Sequence, residues 1–155
     1  MPVRLQLLLA LRKTRSLYYI ALLDRIDIHI EAPRVDYEKL SGDQVGESSE
    51  SIRPRVQAVH DIQRKRFGVQ SPQAFHSTIV CNADMHVGEI RQFCKLQAEG
   101  PSLMCSAMTQ LNLSARGYHR VLKLARTIAD LAGSEEIQSA HLADVLHYRP
   151  KLMIG

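Results

Sequence analysis

The sequence predicts a mainly α-helical protein, in which a helical bundle follows one strand and one helix at the edge of a larger α/β core. Its C-terminal half holds several apolar-periodic segments in quick succession, each with its own start and stop signals. Before them lies a single segment with strand-like alternation, and a lone strand is not stable by itself. Hydrophobic residues make up 45% of the 155 residues, but only 5% are aromatic, which predicts an aliphatic core.

The first part of the chain divides into an arm, a strand and a linker. Residues 1–20 form an atypical N-terminal arm that we expect to be helical. Its apolar run is short and ends in Arg12-Lys13, so we expect neither a signal peptide nor a membrane span. Residues 26–31 alternate Ile with polar residues and predict a strand with one buried face. The linker, at 34–48, lacks periodicity.

A helix predicted over 49–67 completes the core edge, which spans residues 21–68. Its apolar positions keep helical spacing: Ile52, Val56, Val59 and Ile62. Pro54 is tolerated in a first turn and not deeper, so we expect the regular helix to begin close to it. Gly68 stops the helix after a basic run that suits the negative end of the helix dipole.

The helical bundle is predicted over residues 69–155. An irregular stretch leads into three or four helices, in segments at 88–96, 101–111, 114–132 and 139–148. Pro101 suits a first helical position, and Ser139 is expected to cap the last helix. Ser114 is the predicted N-cap of the third helix, and Gly133 is its predicted stop.

Three cysteines without CxxC spacing predict free thiols in a reducing cytoplasm. They are Cys81, Cys94 and Cys105. A zinc site built from Cys81, His86 and Cys94 is the alternative, but this spacing fits no standard zinc site, so we expect no metal. The formal net charge of +4 permits an anionic partner without requiring one.

The helix predicted over 114–132 carries a basic sector opposite a broad apolar sector. The basic residues are Arg116, Arg120, Lys123 and Arg126. One interpretation is a solvated polar face, and another is contact with nucleic acid. Arg116 lies in the first turn, where a cation is unfavourable beside the positive end of the dipole. A bound phosphate is one common compensation.

Arg25 also has two interpretations. It pairs with Asp24 or Asp27 inside the chain, or its guanidinium contacts a phosphate across a subunit boundary. An arginine finger of the second kind stabilises the charge that develops on a transferred phosphoryl group.

The sequence lacks the motifs of a complete P-loop ATPase. It contains no GxxxxGK[ST] phosphate loop, and the stretch GDQVGESS has glycines but no lysine. No apolar run ends in the Asp-Glu pair that would hold a magnesium ion. We therefore expect this chain alone to bind neither ATP nor Mg²⁺ and to hydrolyse no ATP.

Three stretches resemble the C-terminal part of the magnesium-chelatase-like AAA+ ATPases, in the branch of the bacterial competence protein ComM, also called YifB. The stretches are LLDRIDIHIEAPRVDYEKL (22–40), CNADM (81–85) and LSARGYHRVLKLARTIADLAGSEEIQSAHLADVLHYRP (113–150). The last is long and specific. The resemblance covers residues 22–151 and implies that the bundle is the helical lid of an AAA+ ATPase.

By position, the resemblance implies that Arg25 is the arginine finger, oriented by Asp24, and that Arg116 is the sensor-2 arginine of the lid. It implies ATP and Mg²⁺ as cofactors of the complete family protein. The implied partners are an AAA+ core or the neighbouring subunits of a hexameric ring. Members of this branch are associated with branch migration of DNA during natural transformation, whereas chelatase members insert magnesium into a porphyrin.

Two functions are therefore open. The first is a lid-and-finger fragment of an AAA+ motor that acts on DNA and is not an autonomous ATPase. The second is a stand-alone helical module that binds nucleic acid through Arg120, Lys123 and Arg126. A remnant that folds without a function is a third interpretation.

Overall fold

The structure, a computed structural model, describes residues 25–30, 32, 34, 46–68 and 79–149. In these residues it contains α1 (Ser49–Arg66), α2 (Val87–Phe93), α3 (Gly100–Gln110), α4 (Ala115–Leu131) and α5 (Ser139–His147), with a 3₁₀ turn at Asn82–Asp84. This part of the chain is mainly helical, as predicted. The arm at 1–20 and most of the linker lie outside the described residues. None of the helices described is long and apolar enough to cross a membrane.

Helix α1 begins at Ser49, the start of the predicted range, and not close to Pro54. Its N-cap is Ser48, whose Oγ accepts a hydrogen bond from the Ser51 N–H at 3.3 Å. Pro54 lies inside the helix, so the predicted start close to it is wrong. The first turn is also held from outside, because Arg55 donates to both carboxylate oxygens of Glu47 at 2.7 Å. These contacts bracket the proline and support the turn before it.

Both ends of α4 are as predicted. The Ser114 Oγ accepts a hydrogen bond from the Gly117 N–H at 3.0 Å. Gly133 follows the helix with a φ of +67°, in the left-handed region that glycine adopts at low cost. The Ser134 N–H then donates to the Ala129 carbonyl at 2.8 Å, which ends the helix.

Helix α4 is the centre of the bundle. It packs against α1, the 3₁₀ turn, α2 and α5, and α5 also packs against α3. The hydrophobic core consists of Met85, Ile90, Cys94, Met104, Val121, Leu122, Ala125, Ala129, Ile137, Leu142 and Val145. No aromatic ring belongs to this set, which agrees with the aliphatic core that the composition predicts.

Helix α1 buries less apolar surface than its pattern predicts. Val59 is buried, but Ile52, Val56 and Ile62 are 39%, 43% and 40% exposed. Apolar packing therefore accounts for little of the attachment of α1 to the bundle.

Residues 25–30 form neither a strand nor a helix, so the strand predicted over 26–31 is absent from the residues described there. The three isoleucines of its apolar face are 42%, 47% and 76% exposed. The described part of the chain offers no second strand for pairing, and an isolated strand leaves its backbone hydrogen bonds unmade. The alternating pattern alone does not form a strand.

The close approach of Gly100 to Leu96 generates a stability prediction. A Cβ at position 100 would lie 2.7 Å from the Leu96 Cβ, and this distance is too short for two non-bonded carbon atoms. Gly100→Ala should therefore lower the free energy of unfolding by about 1–3 kcal/mol, measured by urea denaturation. Gly88→Ala is the matched control, because nothing lies within 4 Å of its new Cβ. Equal stability of Gly100→Ala and the wild type would contradict this packing.

Candidate functional site

A buried cluster of polar side chains joins α1, the 3₁₀ turn and α4. At its centre, the Asp130 carboxylate accepts hydrogen bonds from Arg66 at 2.7 and 2.5 Å and from Arg126 at 3.0 Å. The Asn82 amide donates to the same carboxylate at 2.8 Å, and its oxygen accepts from Arg66 at 2.8 Å. The Asn82 backbone N–H donates to the Gln63 side chain at 3.1 Å. Each of these polar side chains thus has at least one hydrogen-bond partner, as burial requires.

Two guanidinium groups share the carboxylate of Asp130. Burial by itself raises the pKa of Asp130, but hydrogen bonds from Arg66 and Asn82 and the positive charge of Arg126 outweigh burial. The pKa of Asp130 therefore lies below its ordinary value, and the carboxylate is ionised at neutral pH. The Arg66 side chain remains 14% exposed, so water reaches the second positive charge.

Arg126 belongs to this cluster and not to the exposed basic face that the sequence predicts. It is 3% exposed. Its Nη1 donates to the Glu135 carbonyl at 2.5 Å and its Nη2 donates to the Ser134 carbonyl, so the guanidinium binds the turn that follows α4. The assignment of Arg126 to a nucleic-acid contact surface is corrected accordingly, because Asp130, one turn later, draws its side chain inward.

The other three basic residues of α4 lie outside this cluster. Arg116 is exposed in the first turn. The Arg120 Nη1 lies 3.2 Å from the Asp27 carboxylate. The Lys123 Nζ donates to the Ala83 carbonyl at 2.7 Å. Two of the three predicted nucleic-acid contacts, Arg120 and Lys123, thus have partners inside the chain.

A cleft of about 220 Å³ lies where residues 25–30 meet α4. Asp27, Arg120 and Lys123 line it, and its remaining walls come from Ala83, Leu124 and Thr127. A second contact anchors the same segment, since the His29 N–H donates to the Tyr148 carbonyl at 3.0 Å. The structure therefore brings residues 25–30 against both α4 and the end of α5.

Arg25 is exposed at the start of this segment. Of the two partners considered for it, Asp24 lies outside the described residues and Asp27 pairs with Arg120. The structure thus places both predicted nucleotide-contacting arginines, Arg25 and Arg116, at the protein surface.

The cysteines show no metal-binding arrangement in the part of the chain described. No group of three His, Cys, Asp or Glu side chains there could hold a metal ion. Cys94 is buried, and burial raises the pKa of its thiol to about 11. The Cys81 thiol donates to the Asp84 carboxylate at 3.3 Å. The raised pKa keeps the Cys94 thiol protonated at neutral pH.

The chain matches the family described as magnesium chelatase, subunit ChlI C-terminal, over residues 46–149. It belongs to this family. The match covers the five helices that the structure describes and the whole cluster around Asp130. The fold is accordingly that of the helical lid, as the sequence predicts.

Curated relatives support the same assignment. The chain is 40% identical over 129 residues to the competence protein ComM of Haemophilus influenzae. It is 38% identical to the uncharacterized protein YifB of Escherichia coli and 33% identical to that of Salmonella typhimurium, over 128 residues each. Each alignment covers 82% of this chain and 23% of the relative. The chain thus spans about a quarter of the length of the curated relatives it matches.

Sequence reasoning missed the cluster around Asp130. One signal was available, because Arg126 and Asp130 are four residues apart on one helix and such a pair can interact. The basic run that includes Arg66 suits the negative end of the helix dipole, and nothing local links Arg66 to a carboxylate 64 residues away.

The cluster predicts a large effect of Asp130→Asn on stability. The substitution keeps the shape of the side chain but leaves two guanidinium groups without their carboxylate. We expect a loss of about 3–5 kcal/mol in the free energy of unfolding near neutral pH, measured by urea denaturation. Asp144→Asn, at an exposed position of α5, is the control and should change little.

The loss of stability caused by Asp130→Asn should be smaller at acid pH. The pKa of Asp130 is lower in the folded state than its ordinary value of 3.8. The contribution of the carboxylate to the free energy of unfolding is therefore fully present above that ordinary pKa and is lost as the pH falls through the folded-state pKa. The difference between wild type and Asp130→Asn should therefore narrow from about pH 4 downwards. A constant difference across that range would show that the carboxylate charge is not the cause.

Proposed function

We propose that this chain is the helical lid of a magnesium-chelatase-like AAA+ ATPase, and that it supplies Arg25 and Arg116 to the nucleotide site of the assembled enzyme. The observation that carries the proposal is the different placement of the basic residues of α4. Arg120, Lys123 and Arg126 contact partners inside the chain, whereas Arg116 is exposed in the first turn of a helix that lies within the family match.

Arg116 is proposed as the sensor-2 arginine of the lid. The Ser114 hydroxyl caps the Gly117 N–H, but the positive end of the α4 dipole still disfavours a cation in this turn. A polyphosphate brought to Arg116 removes that penalty and gains charge-assisted, bidentate hydrogen bonds. The lid would close on the nucleotide through this contact.

Arg25 is proposed as the arginine finger that faces the nucleotide of a neighbouring subunit. Its planar guanidinium stabilises negative charge on the transferred phosphoryl group. Asp24 is proposed to orient it. ATP and Mg²⁺ would be bound mainly by the AAA+ core or by the neighbouring subunits of a hexameric ring, because this sequence has no phosphate loop.

We further propose that the assembled ring acts on DNA in the cytoplasm, in branch migration during natural transformation. The support is the 40% identity to a protein named for competence. A stand-alone nucleic-acid-binding module has less support, since Arg126 is buried and both Arg120 and Lys123 already have partners.

A chimera tests the nucleotide role. The aligned residues of this chain replace the matching segment of the Haemophilus ComM protein, and ATP turnover is measured by phosphate release. Arg116→Ala should lower kcat about 10²–10³-fold, as expected when one donor to developing charge is removed. Arg25→Ala should lower kcat about 10³-fold or more. The 155-residue chain alone should show no turnover.

Arg53→Ala is the matched control in the chimera, because Arg53 is an exposed arginine of α1. It should retain the turnover of the parent chimera. Full activity of the Arg116→Ala chimera, or turnover by the isolated chain, would refute the proposed role.

Binding to DNA separates the two candidate functions. In fluorescence anisotropy with a labelled duplex, the isolated chain should show no measurable binding even at about 50 mM salt, where phosphate contacts are strongest. Binding that appears there and is lost in Lys123→Ala would favour the stand-alone module instead.

A further inference from the structure

We propose that the ion pair between Asp27 and Arg120 positions the segment that carries Arg25 against the helix that carries Arg116. The inference rests on the proposed function, since it gives the pair a role in arranging the two arginines of the nucleotide site. Asp27 and Arg120 are positioning residues in this scheme, and neither is assigned a contact with the nucleotide.

Among the described residues, an ion pair and a backbone hydrogen bond attach residues 25–30 to the bundle. The Asp27 carboxylate lies 3.2 Å from the Arg120 Nη1 on α4, and the His29 N–H donates to the Tyr148 carbonyl at 3.0 Å. Arg25 precedes Asp27 by two residues, so the ion pair is the nearer of these attachments. Without the ion pair, the attachment nearest to Arg25 along the segment is the hydrogen bond of His29.

The geometry of α4 connects this attachment to Arg116. Arg116 and Arg120 are four residues apart and lie on the same side of the helix, about one turn from each other. Asp27 is therefore attached next to the turn that carries Arg116. A shift of Asp27 along α4 changes the separation of the Arg25 and Arg116 guanidinium groups. In the proposed reaction each must reach a nucleotide phosphate, and the phosphate for Arg25 belongs to the nucleotide of the neighbouring subunit.

The exposure of the pair suits positioning better than stabilisation. The Arg120 and Asp27 side chains are 29% and 48% exposed. Exposed ion pairs contribute little to global stability, and salt screens them. Residues 25–30 belong to no helix or sheet, however, and such segments open at low cost in free energy. A weak contact is enough to change how often this segment is docked.

Amide exchange on the full 155-residue chain tests the attachment. Asp27→Asn and Arg120→Gln should each make the His29 amide exchange about two- to fivefold faster, as expected for loss of an exposed ion pair, while the urea midpoint stays unchanged. Arg120→Lys keeps the charge and should restore most of the protection. Glu47→Gln breaks another exposed pair, with Arg55, and should leave the His29 amide unaffected.

Turnover of the chimera tests the role in positioning. Asp27→Asn should lower kcat about two- to fivefold with the KM for ATP unchanged, because the ion pair holds Arg25 and does not bind substrate. If Arg25→Ala and Arg116→Ala abolish turnover but Asp27→Asn alters neither exchange nor kcat, the inference is overturned and the proposed function stands. If Asp27→Asn speeds exchange but the arginine variants remain fully active, the proposed function fails and the role in positioning fails with it.

Discussion

The described part of the bundle depends on the Asp130 carboxylate, because arginines from two different helices donate to it. Helix α1 buries few apolar side chains, so the contact between Arg66 and Asp130 does much to set its position against α4. The same carboxylate orients Arg126, which binds the carbonyl groups of the turn leading to α5. Removal of one partner from such a buried set leaves charge without compensation, which is far more costly than the loss of an exposed pair.

This arrangement also determines what the basic sector of α4 can do. Its four cations are equivalent on a helical wheel, but one is buried, two contact groups inside the chain and Arg116 is exposed in the first turn. A uniform basic surface would favour contact with many phosphates along a nucleic acid. One cation presented at a helix N-terminus instead suits a compact anion such as a nucleotide phosphate. The protein therefore resembles a lid more than a nucleic-acid-binding surface.

Most helices were predictable because their signals are local. Ser114 begins α4 by accepting a hydrogen bond from a backbone N–H of the first turn, and Gly133 ends it with a positive φ. Both signals depend on only a few adjacent residues. The start of α1 was not predictable from Pro54, since the Ser48 cap and the Glu47–Arg55 pair support helix on both sides of the proline. The strand expected from the isoleucine alternation fails for a related reason. Alternation of apolar and polar residues predicts which face of a strand is buried, but a stable strand also needs a neighbouring strand to pair with.

The family, the aliphatic core and the approximate positions of α2 to α5 follow from residue spacing and from motifs contained within short stretches of the chain. The ends are less exact, because α2 stops at Phe93 and not at residue 96, and the N-cap of α5 is Gln138 and not Ser139. The exposure of each cation does not follow in this way. Arg66 meets Asp130 across 64 residues, and Asp27 meets Arg120 between segments that share no local pattern. A helical wheel assigns a basic residue to a polar sector, but packing decides whether that sector faces water or a buried carboxylate. The free energy of a charged side chain differs between water and a buried ion pair, and only a side chain that faces water is accessible to a phosphate.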